Sequence, residues 1–594
     1  MTALLAPRRD IDFMLFELLQ LERLCERERF AEHSRETFGA ALDTAYAIAA
    51  DKFAPHLRAA DETEPHLIDA KVVLRPEVAP ALRAFADAGF MSAAHDETLG
   101  GMQLPFSVAM ACWSVFKCAN IATEVYASLT IGAADLLTAC GTSEQVERYV
   151  RPMLAGRWFG TMVLTEPQAG SSLADVSTSA TPTADGRYSI RGQKIFITAG
   201  DHEITENIVH LVLARLPDAP PGVKGLSLFI VPKRVIDADG TVGGDNDVAL
   251  AGLIHKMGFR GTTSAMLSFG EQGRCFGELA GQPNQGLACM FHMMNEARIG
   301  VGFGATMLGY AGYVHALAYA RERVQGRGAA GKPAAIIEHA DVRRMLLAQK
   351  AAVEGALALS LWGASLADEQ RTAVDETARR EAGALLDLVT PVIKSWPSKF
   401  CLEANSEAIQ VHGGYGYTRD HPVEQFYRDN RLNPIHEGTH GIQSLDLLGR
   451  KVLGDGGRAL ALLGREVAAA TEAARALDNA ELVAHADALD RAWQALGETT
   501  ITLAQALKSK PALALANSAV YMDAFGHTLV AWLWLRQAQA ATLALRTEPH
   551  DPFYLGKRAA ARYFFGWVLP GTQPMHELLR RLDGACAEMR DAWF

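Results

Sequence analysis

The chain has 594 residues, 49% of them hydrophobic, and a formal charge of −11. That length can bury several cores and excludes a small disulfide-stapled scaffold, while the acidic balance leaves no general electrostatic footprint for nucleic acid. Eight cysteines, at Cys25, Cys112, Cys118, Cys140, Cys275, Cys289, Cys401 and Cys586, form no C-x-x-C pair and read as reduced thiols of a cytoplasmic protein.

The N-terminal stretch MTALLAPRRDIDFMLFELL has acidic residues soon after its arginine pair and no long apolar core, so no secretion signal is expected. From Asp10 to about Gly156 apolar residues recur at helical spacing, as in Ile11, Met14, Leu15, Leu18 and Leu21. Between about Trp158 and Glu278 the period changes to two, in runs such as Lys194-Ile-Phe-Ile-Thr198, Ile208-VHLVLA and Leu226-SLFIV. Asp185-Gly186 is a hairpin signal between two of these runs. A compact β-domain is predicted there.

After Asn284-Gln-Gly286 the helical period returns and persists to about Lys451. A second helical block follows the loop Gly454-Asp-Gly-Gly457 and runs to Phe594, with breaks expected at Lys510-Pro511 and over Glu548-PHDP-Phe553. Within it Thr528-LVAWLWL-Arg536 is broken by Arg536, Gln537 and Gln539 before the ~20 residues a membrane span needs, so it reads as a buried helix. No integral membrane segment is expected.

Three stretches carry unusual chemistry. Met162-VLTEPQAGSS-Leu173 crowds hydroxyls and permissive backbone into the entry of the β-domain, a composition suited to hydrogen-bonding a polar ring or phosphate and equally to an ordinary turn. Gln410-Val-His-Gly413-Gly414-Tyr-Gly416-Tyr lacks G-x-G-x-x-G spacing, but its glycines permit close backbone approach. Gly300-Val-Gly302-Phe-Gly304 continues a helical run and reads as close helix packing.

The remaining stretch with unusual chemistry, Asn433-Pro-Ile-His436-Glu437-Gly-Thr-His440, contains HEGTH, which satisfies the zinc pattern H-E-x-x-H. That pattern works on a continuous helix, where two histidines one turn apart face the same way. Here Pro434 and Gly438 spoil the helix, and Gln443 and Asp446 stand where a metzincin has glycine and histidine. No metal is expected.

In this order and spacing the stretches resemble the acyl-CoA dehydrogenase family of flavoproteins over about residues 40–455. The shared strings are LTEPxAGS; G-x-K-x-F-I-T as Gly192-Gln-Lys194-Ile-Phe196-Ile-Thr198; QxxGGxGY; and Arg428-Asp429-Asn-Arg431-LNPI-His436-Glu437-Gly-Thr439. The RDIDFMLFELL segment, Glu206-Asn-Ile-Val-His-Leu-Val-Leu-Ala-Arg215 and the extra helical tail are similar to the long bacterial subgroup, which includes fatty acyl-CoA and 3-(methylthio)propanoyl-CoA dehydrogenases.

The resemblance implies a mainly α fold with a central β-domain. A helical N-terminal domain spans 1–157, a β-barrel or sandwich 158–284, a four-helix bundle 285–455 and an additional C-terminal helical domain 456–594. It implies FAD, and Glu437 as the base that removes the α-proton of an acyl-CoA thioester while a hydride leaves the β-carbon. A carboxylate at its ordinary pKa is a feeble base, so an apolar, water-free setting is needed. Some relatives place the base just before an arginine on the helix that opens the bundle. That position is Ala297 here, ahead of Arg298, with Glu296 on another helical face.

Met162, Leu164, Thr165, Phe196 and Thr198 match positions that hold the flavin ring, and Ser171 matches a serine contacting cofactor and substrate. The next residue, often aspartate in the family, is Ser172. Asn295 and Arg298 match positions used by the CoA arm, Gly438 belongs to the substrate side and Thr439 to the cofactor side. Gln410, Gly413 and Gly414 match a segment that reaches the flavin nucleotide of a neighbouring subunit, which implies a homo-oligomer, with a dimer expected. The family's usual Arg-x-x-Phe-Gly string appears here as Arg321-Glu-Arg323-Val-Gln325-Gly326, without the phenylalanine, and Arg323 is taken for its arginine. His436 and His440 are read as supporting residues.

An electron-transferring flavoprotein is the implied partner, and the cytoplasm, bacterial, the implied compartment, with peripheral attachment to the inner membrane left open. An acyl-CoA oxidase, handing its electrons to oxygen, shares base and fold. A rival of another class is a diverged member binding nucleic acid through Arg546, Lys557, Arg558, Arg562, Arg580 and Arg581, which the acidic chain argues against.

Overall fold

The structure, a computed structural model, describes residues 4–237, 239–328, 331–454 and 456–594, with the side chains of 291–294 outside that description. Asp455, in the loop expected to open the second helical block, also lies outside the described residues. The chain divides into two compact units. One holds Arg35–Pro105 and Cys112–Gly300, the other Leu4–Ser34, Phe106–Ala111 and Val301–Phe594.

The first unit is helical up to its sheet, with one departure from the expected pattern. His66–Ile68 and Lys71–Val73 form a hairpin, closed by Asp69 and Ala70 at φ 48° and 61°. Two successive left-handed residues make the tight turn that suits antiparallel strands, a conformation that spacing of apolar residues does not encode. Helix α1 (Phe106–Cys140) is the one described helix long and apolar enough to cross a membrane, and its apolar window is wholly buried within the protein.

The sheet has eight strands: β1 (Trp158–Val163), β2 (Ser179–Pro182), β3 (Tyr188–Thr198), β4 (Asn207–Arg215), β5 (Leu226–Pro232), β6 (Val248–Leu253), β7 (Ser264–Phe269) and β8 (Phe276–Ala280). Their order is β6-β7-β3-β8-β5-β4-β1, with β2 bridging β3 and β4. β1 and β4 run parallel, from Trp158 opposite Asn207 to Val163 opposite Val212, and the Asp185-Gly186 hairpin joins β2 to β3 as expected. Alternation sends Val209, Leu211 and Leu213 of β4 into one apolar cluster and Val212 and Ala214 into another. Strands buried on both faces show no polar side, and each fully buried aliphatic residue contributes ~1.5–3 kcal/mol.

The second unit is built on long helices: α2 (Gly286–Glu322, shared across the division), α3 (Ala340–Thr372), α4 (Glu376–His412), α5 (Val423–Asn430) and α6 (His440–Leu445). Glycines let α2 and α4 approach. A Cβ at Gly302 would lie 2.3 Å from the Ile393 carbonyl oxygen, and one at Gly309 2.8 Å from Cys401 Cβ. The packing reading of the Gly300–Gly304 stretch holds at Gly302.

Beyond them come α7 (Arg458–Arg475), α8 (Ala480–Ser509), α9 (Ser518–Ala544), α10 (Pro552–Tyr563) and α11 (Thr572–Arg580), broken at Lys510-Pro511 and over 545–551 as expected. The apolar stretch of α9 is a core helix, with Trp532 and Trp534 fully buried and Gly526 pressed against Trp396. In the same unit the buried Lys557 ammonium lies 2.8 Å from Asp10 and 2.8 Å from Glu354, so the N-terminal segment is tied to α10.

Candidate active site

In the first unit the loop after β1 is stapled to β3. Lys194 Nζ donates to the carbonyls of Leu164 and Leu213, each at 2.9 Å, and pairs with Glu166 Oε1 at 3.0 Å. Glu166 also accepts the Ser177 and Thr178 amides at 2.8 and 3.0 Å and both hydroxyls. Burial alone would raise its pKa, but the Lys194 charge and these donors hold it down at about 2. Burial pushes Lys194 down to about 8, so the pair stays ionised near neutrality.

β3 carries a bulge at this point. Lys194 stands opposite Leu267 and Ile197 opposite Ala265, so Ile195 and Phe196 together face only Met266. The extra residue frees the Ile195 N–H from the ladder, and it donates instead to the Thr165 carbonyl at 3.0 Å. Phe196 turns to φ 59° and is 61% exposed. A large aromatic in a left-handed conformation with its face uncovered costs free energy, and such strain gathers where a ligand is held.

Met162, Leu164, Thr165 and Thr198, each half-buried, therefore gather with Phe196 around one stapled corner of the sheet. Ser171 lies exposed in the same loop, and Ser172 donates to Asp175 Oδ2 at 2.6 Å. Asn295 and Arg298 stand one turn apart on α2, the first half-buried and the second buried.

In the second unit Glu437 occupies a loop between α5 and α6 at φ 51°, followed by Gly438 at φ 86°. Glutamate pays ~1–2 kcal/mol for that conformation, so the loop must be tied down. The buried Lys394 of α4 donates to the carbonyls of Asn433 and Gly438, each at 2.7 Å. Gln443 Nε2 donates to the Glu437 carbonyl at 2.8 Å, and Thr439 caps α6 by accepting the Ile442 amide at 3.3 Å.

A ladder of buried amides supports the same loop from beneath. Asn405 accepts from Asn430 at 2.7 Å, Asn430 from Asn433 at 2.9 Å, and Asn433 Oδ1 meets His436 Nε2 at 3.0 Å. Burial, and then the Lys394 charge, push His436 down to about 3, so its ring is neutral and donates to Asn433.

The HEGTH string is thus not one helical face. His436 precedes the turn and bonds Asn433, while His440 begins α6 and meets Ser395 Oγ at 2.6 Å.

A separate cavity of about 490 Å³ in this unit is lined by Arg323, Gln325, Gly413, Gly414 and Tyr415 among others. A Cβ at Gly413 (φ 61°) or Gly414 would meet nothing within 4 Å among the described residues, leaving room for a ligand against bare backbone. Arg323 lies 5.7 Å from the Tyr415 ring centre. Gln410 is exposed on the last turn of α4 and is not part of that lining. The residues fit FAD chemistry: an uncovered aromatic face beside polar loop atoms suits a flavin ring, and an arginine with open glycine backbone suits a nucleotide diphosphate.

Lys194, Glu166, Lys394, Gln443 and the asparagine ladder are site-building residues that motif reading passed over. Lys194, Glu166, Asn430 and Asn433 stand inside the shared strings and Gln443 just past one, whereas Lys394 and Asn405 lie outside them with no such signal. The C-terminal basic residues are largely spoken for: Lys557 is buried in its cluster, Arg558 pairs with Glu481, Arg580 with Glu498 and Arg581 with Asp583.

Family profiles match the chain in succession: the acyl-CoA dehydrogenase N-terminal domain over 36–157, middle domain over 161–271 and C-terminal domain over 284–453, then an acetyl-CoA dehydrogenase C-terminal-like profile over 463–590. A 3-methylmercaptopropionyl-CoA dehydrogenase of Ruegeria pomeroyi is 38% identical, covering 96% of this chain and 97% of that protein. A broad-specificity linear acyl-CoA dehydrogenase of Mycobacterium tuberculosis is 34% identical, covering 99% of each. A Bacillus anthracis acyl-CoA dehydrogenase solved in complex with FAD shares the fold, with TM-score 0.74 and 19% identity over 92% of this chain and 88% of that one. The chain belongs to the acyl-CoA dehydrogenase family of FAD-dependent oxidoreductases.

Proposed function

We propose that this enzyme oxidises a fatty acyl-CoA or 3-(methylthio)propanoyl-CoA thioester to the trans-2-enoyl-CoA, with Glu437 as the base. The observation that carries the reading is the loop itself: a carboxylate held at left-handed φ by Lys394, Gln443 and the cap at Thr439. Glu437 takes the α-proton of the thioester onto its carboxylate. Its own backbone N–H, and that of neighbouring Gly438, would serve as donors to the thioester carbonyl, where a donor stabilises the developing enolate. Bound FAD would supply the acceptor for the β-hydride, with an electron-transferring flavoprotein as the onward electron acceptor.

Met162, Leu164, Thr165, Phe196 and Thr198 hold the flavin ring, with Thr439 on the cofactor side, in this reading. Arg323, Gln410, Gly413 and Gly414 serve the nucleotide end across a homodimer. Ser171, Asn295 and Arg298 contact the CoA thioester and its arm. Domains at 1–157, 158–284, 285–455 and 456–594 follow the same reading. Substrate class is supported by the full-length likeness to relatives named for linear and methylmercapto acyl-CoA.

The test is anaerobic titration with a panel of acyl-CoAs, following flavin bleaching. Glu437→Gln is expected to keep the yellow flavin and lose the bleaching. Reduction of that variant at the wild-type rate overturns the assignment of the base, and rapid reoxidation in air with stoichiometric peroxide assigns an oxidase instead.

A further inference from the structure

Helix α6 starts three residues after Glu437, and its first residue reaches outside the bundle. His440 Nδ1 meets Ser395 Oγ of α4 at 2.6 Å, while Nε2 faces Asp523 Oδ1 of α9 at 3.6 Å. Ser395 is fully buried and Asp523 is 9% exposed. The other Asp523 oxygen takes Lys399 Nζ of α4 at 2.5 Å. Among the described residues, neither His440 Nε2 nor Asp523 Oδ1 has a hydrogen-bond partner elsewhere. Two buried polar atoms left for each other at 3.6 Å are one small movement from a bond, because leaving both unmet costs ~1–3 kcal/mol each.

We infer that His440 and Asp523 are positioning residues, and that the additional C-terminal helices hold the Glu437 loop in its working conformation through the chain Asp523–His440–Ser395. This rests on Glu437 being the base. Lys394 of α4 and Gln443 of α6 itself tie the same loop. Asp523 adds a tie from α9, within the region matched by the last family profile. A loop that stores strain keeps it only while its surroundings over-determine it, and a fraction of an ångström at a base changes the rate steeply. Asp523 keeps the charge this role needs. Burial would raise its pKa, but His440 and Lys399 hold it below the usual carboxylate range.

The test compares His440→Asn, His440→Gln, Asp523→Asn and the double variant His440→Asn/Asp523→Asn in the full-length, FAD-loaded enzyme, with butyryl-CoA as probe. Asparagine keeps an amide where Nδ1 met Ser395 and deletes the group facing Asp523, whereas glutamine reaches the Nε2 position. His440→Asn and Asp523→Asn are expected to lower the limiting rate of flavin reduction about ten-fold with KM within two-fold. The double variant should lose no more than either single one, and His440→Gln should recover most of the rate. Faster amide hydrogen exchange over residues 437–443 in both single variants is the accompanying readout. Wild-type rates in both, or losses that multiply in the double variant, overturn the inference. If Asp523→Asn fails to hold FAD, the His440→Asn against His440→Gln comparison decides alone, equal rates overturning it. Glu437→Gln run alongside separates the two readings: if it reduces flavin at the wild-type rate, the base assignment falls whatever the His440 variants do.

Discussion

Lys194→Met is the sharpest probe of the stapled corner. It keeps the length and apolar stem of the side chain and deletes only the ammonium, which lies 3.0 Å from Glu166 with both side chains essentially unexposed. Removing one member of a buried pair costs ~3–5 kcal/mol, because the remaining charge is left without its partner. Glu166 keeps its four donors from Ser177 and Thr178, but the carbonyls of Leu164 and Leu213 lose theirs. For a unit of about 260 residues that loss lowers the melting midpoint by about 5–9 °C. FAD should leave at a lower temperature too, since the released loop carries Leu164 and Thr165. Differential scanning calorimetry with flavin fluorescence as a second channel measures both. Lys194→Met/Glu166→Gln, with neither charge left, should recover ~1–2 kcal/mol of the loss. A midpoint within 1–2 °C of wild type for Lys194→Met alone would refute the reasoning.

Phe196→Ala should leave the fold intact, because its side chain is 61% exposed, and weaken FAD retention about ten-fold in a dialysis or fluorescence titration. Gly438→Ala should cost ~1–2 kcal/mol from its φ of 86° and drive a methyl to 2.6 Å from Gln443 Nε2, so flavin reduction should slow at least ten-fold while FAD stays bound. Acid should destabilise the β-containing unit before it touches Glu166. His202 and His210 are buried and pushed down to about 3, so the unfolded chain takes up their protons first, and stability falls as pH drops from 6.5 towards 3. At pH 5 each contributes about 2 kcal/mol of loss, from 1.5 pH steps at 1.36 kcal/mol. Glu166 contributes stability above about 4.5 that goes only as pH falls towards 2. His202→Gln/His210→Gln should flatten the fall in melting midpoint between pH 7 and 5, and an unchanged slope would contradict the assignment.

Periodicity carried much of the architecture. The two-residue period between Trp158 and Glu278 marks the strands because alternating side chains face opposite sides of a sheet, and the stretch Thr528–Arg536 is a buried helix for the reason its polar interruptions suggested. The shared strings carried the family, the cofactor and Glu437 as candidate. Local conformation was less legible. Nothing in Lys194-Ile-Phe-Ile says that Ile195 and Phe196 oppose one residue, since a bulge is a property of two strands. Long-range pairing was not legible either. One sequence does not say which carboxylate meets which amine, so Lys194 with Glu166 and His440 with Asp523 appear only when the chain is folded.

The contact between Lys557 and Asp10 joins residues 547 positions apart. At ~5–20 residues per second, synthesis takes about half a minute to two minutes to carry the chain from one to the other. During that interval Asp10 and the apolar Phe13, Met14 and Leu15 beside it, all buried in the finished protein, have no α10 to receive them. This early segment is therefore among the last to settle, and a nascent chain stopped short of Lys557 leaves it exposed and adhesive. Truncating the C-terminal helices would thus unfasten the segment around Asp10.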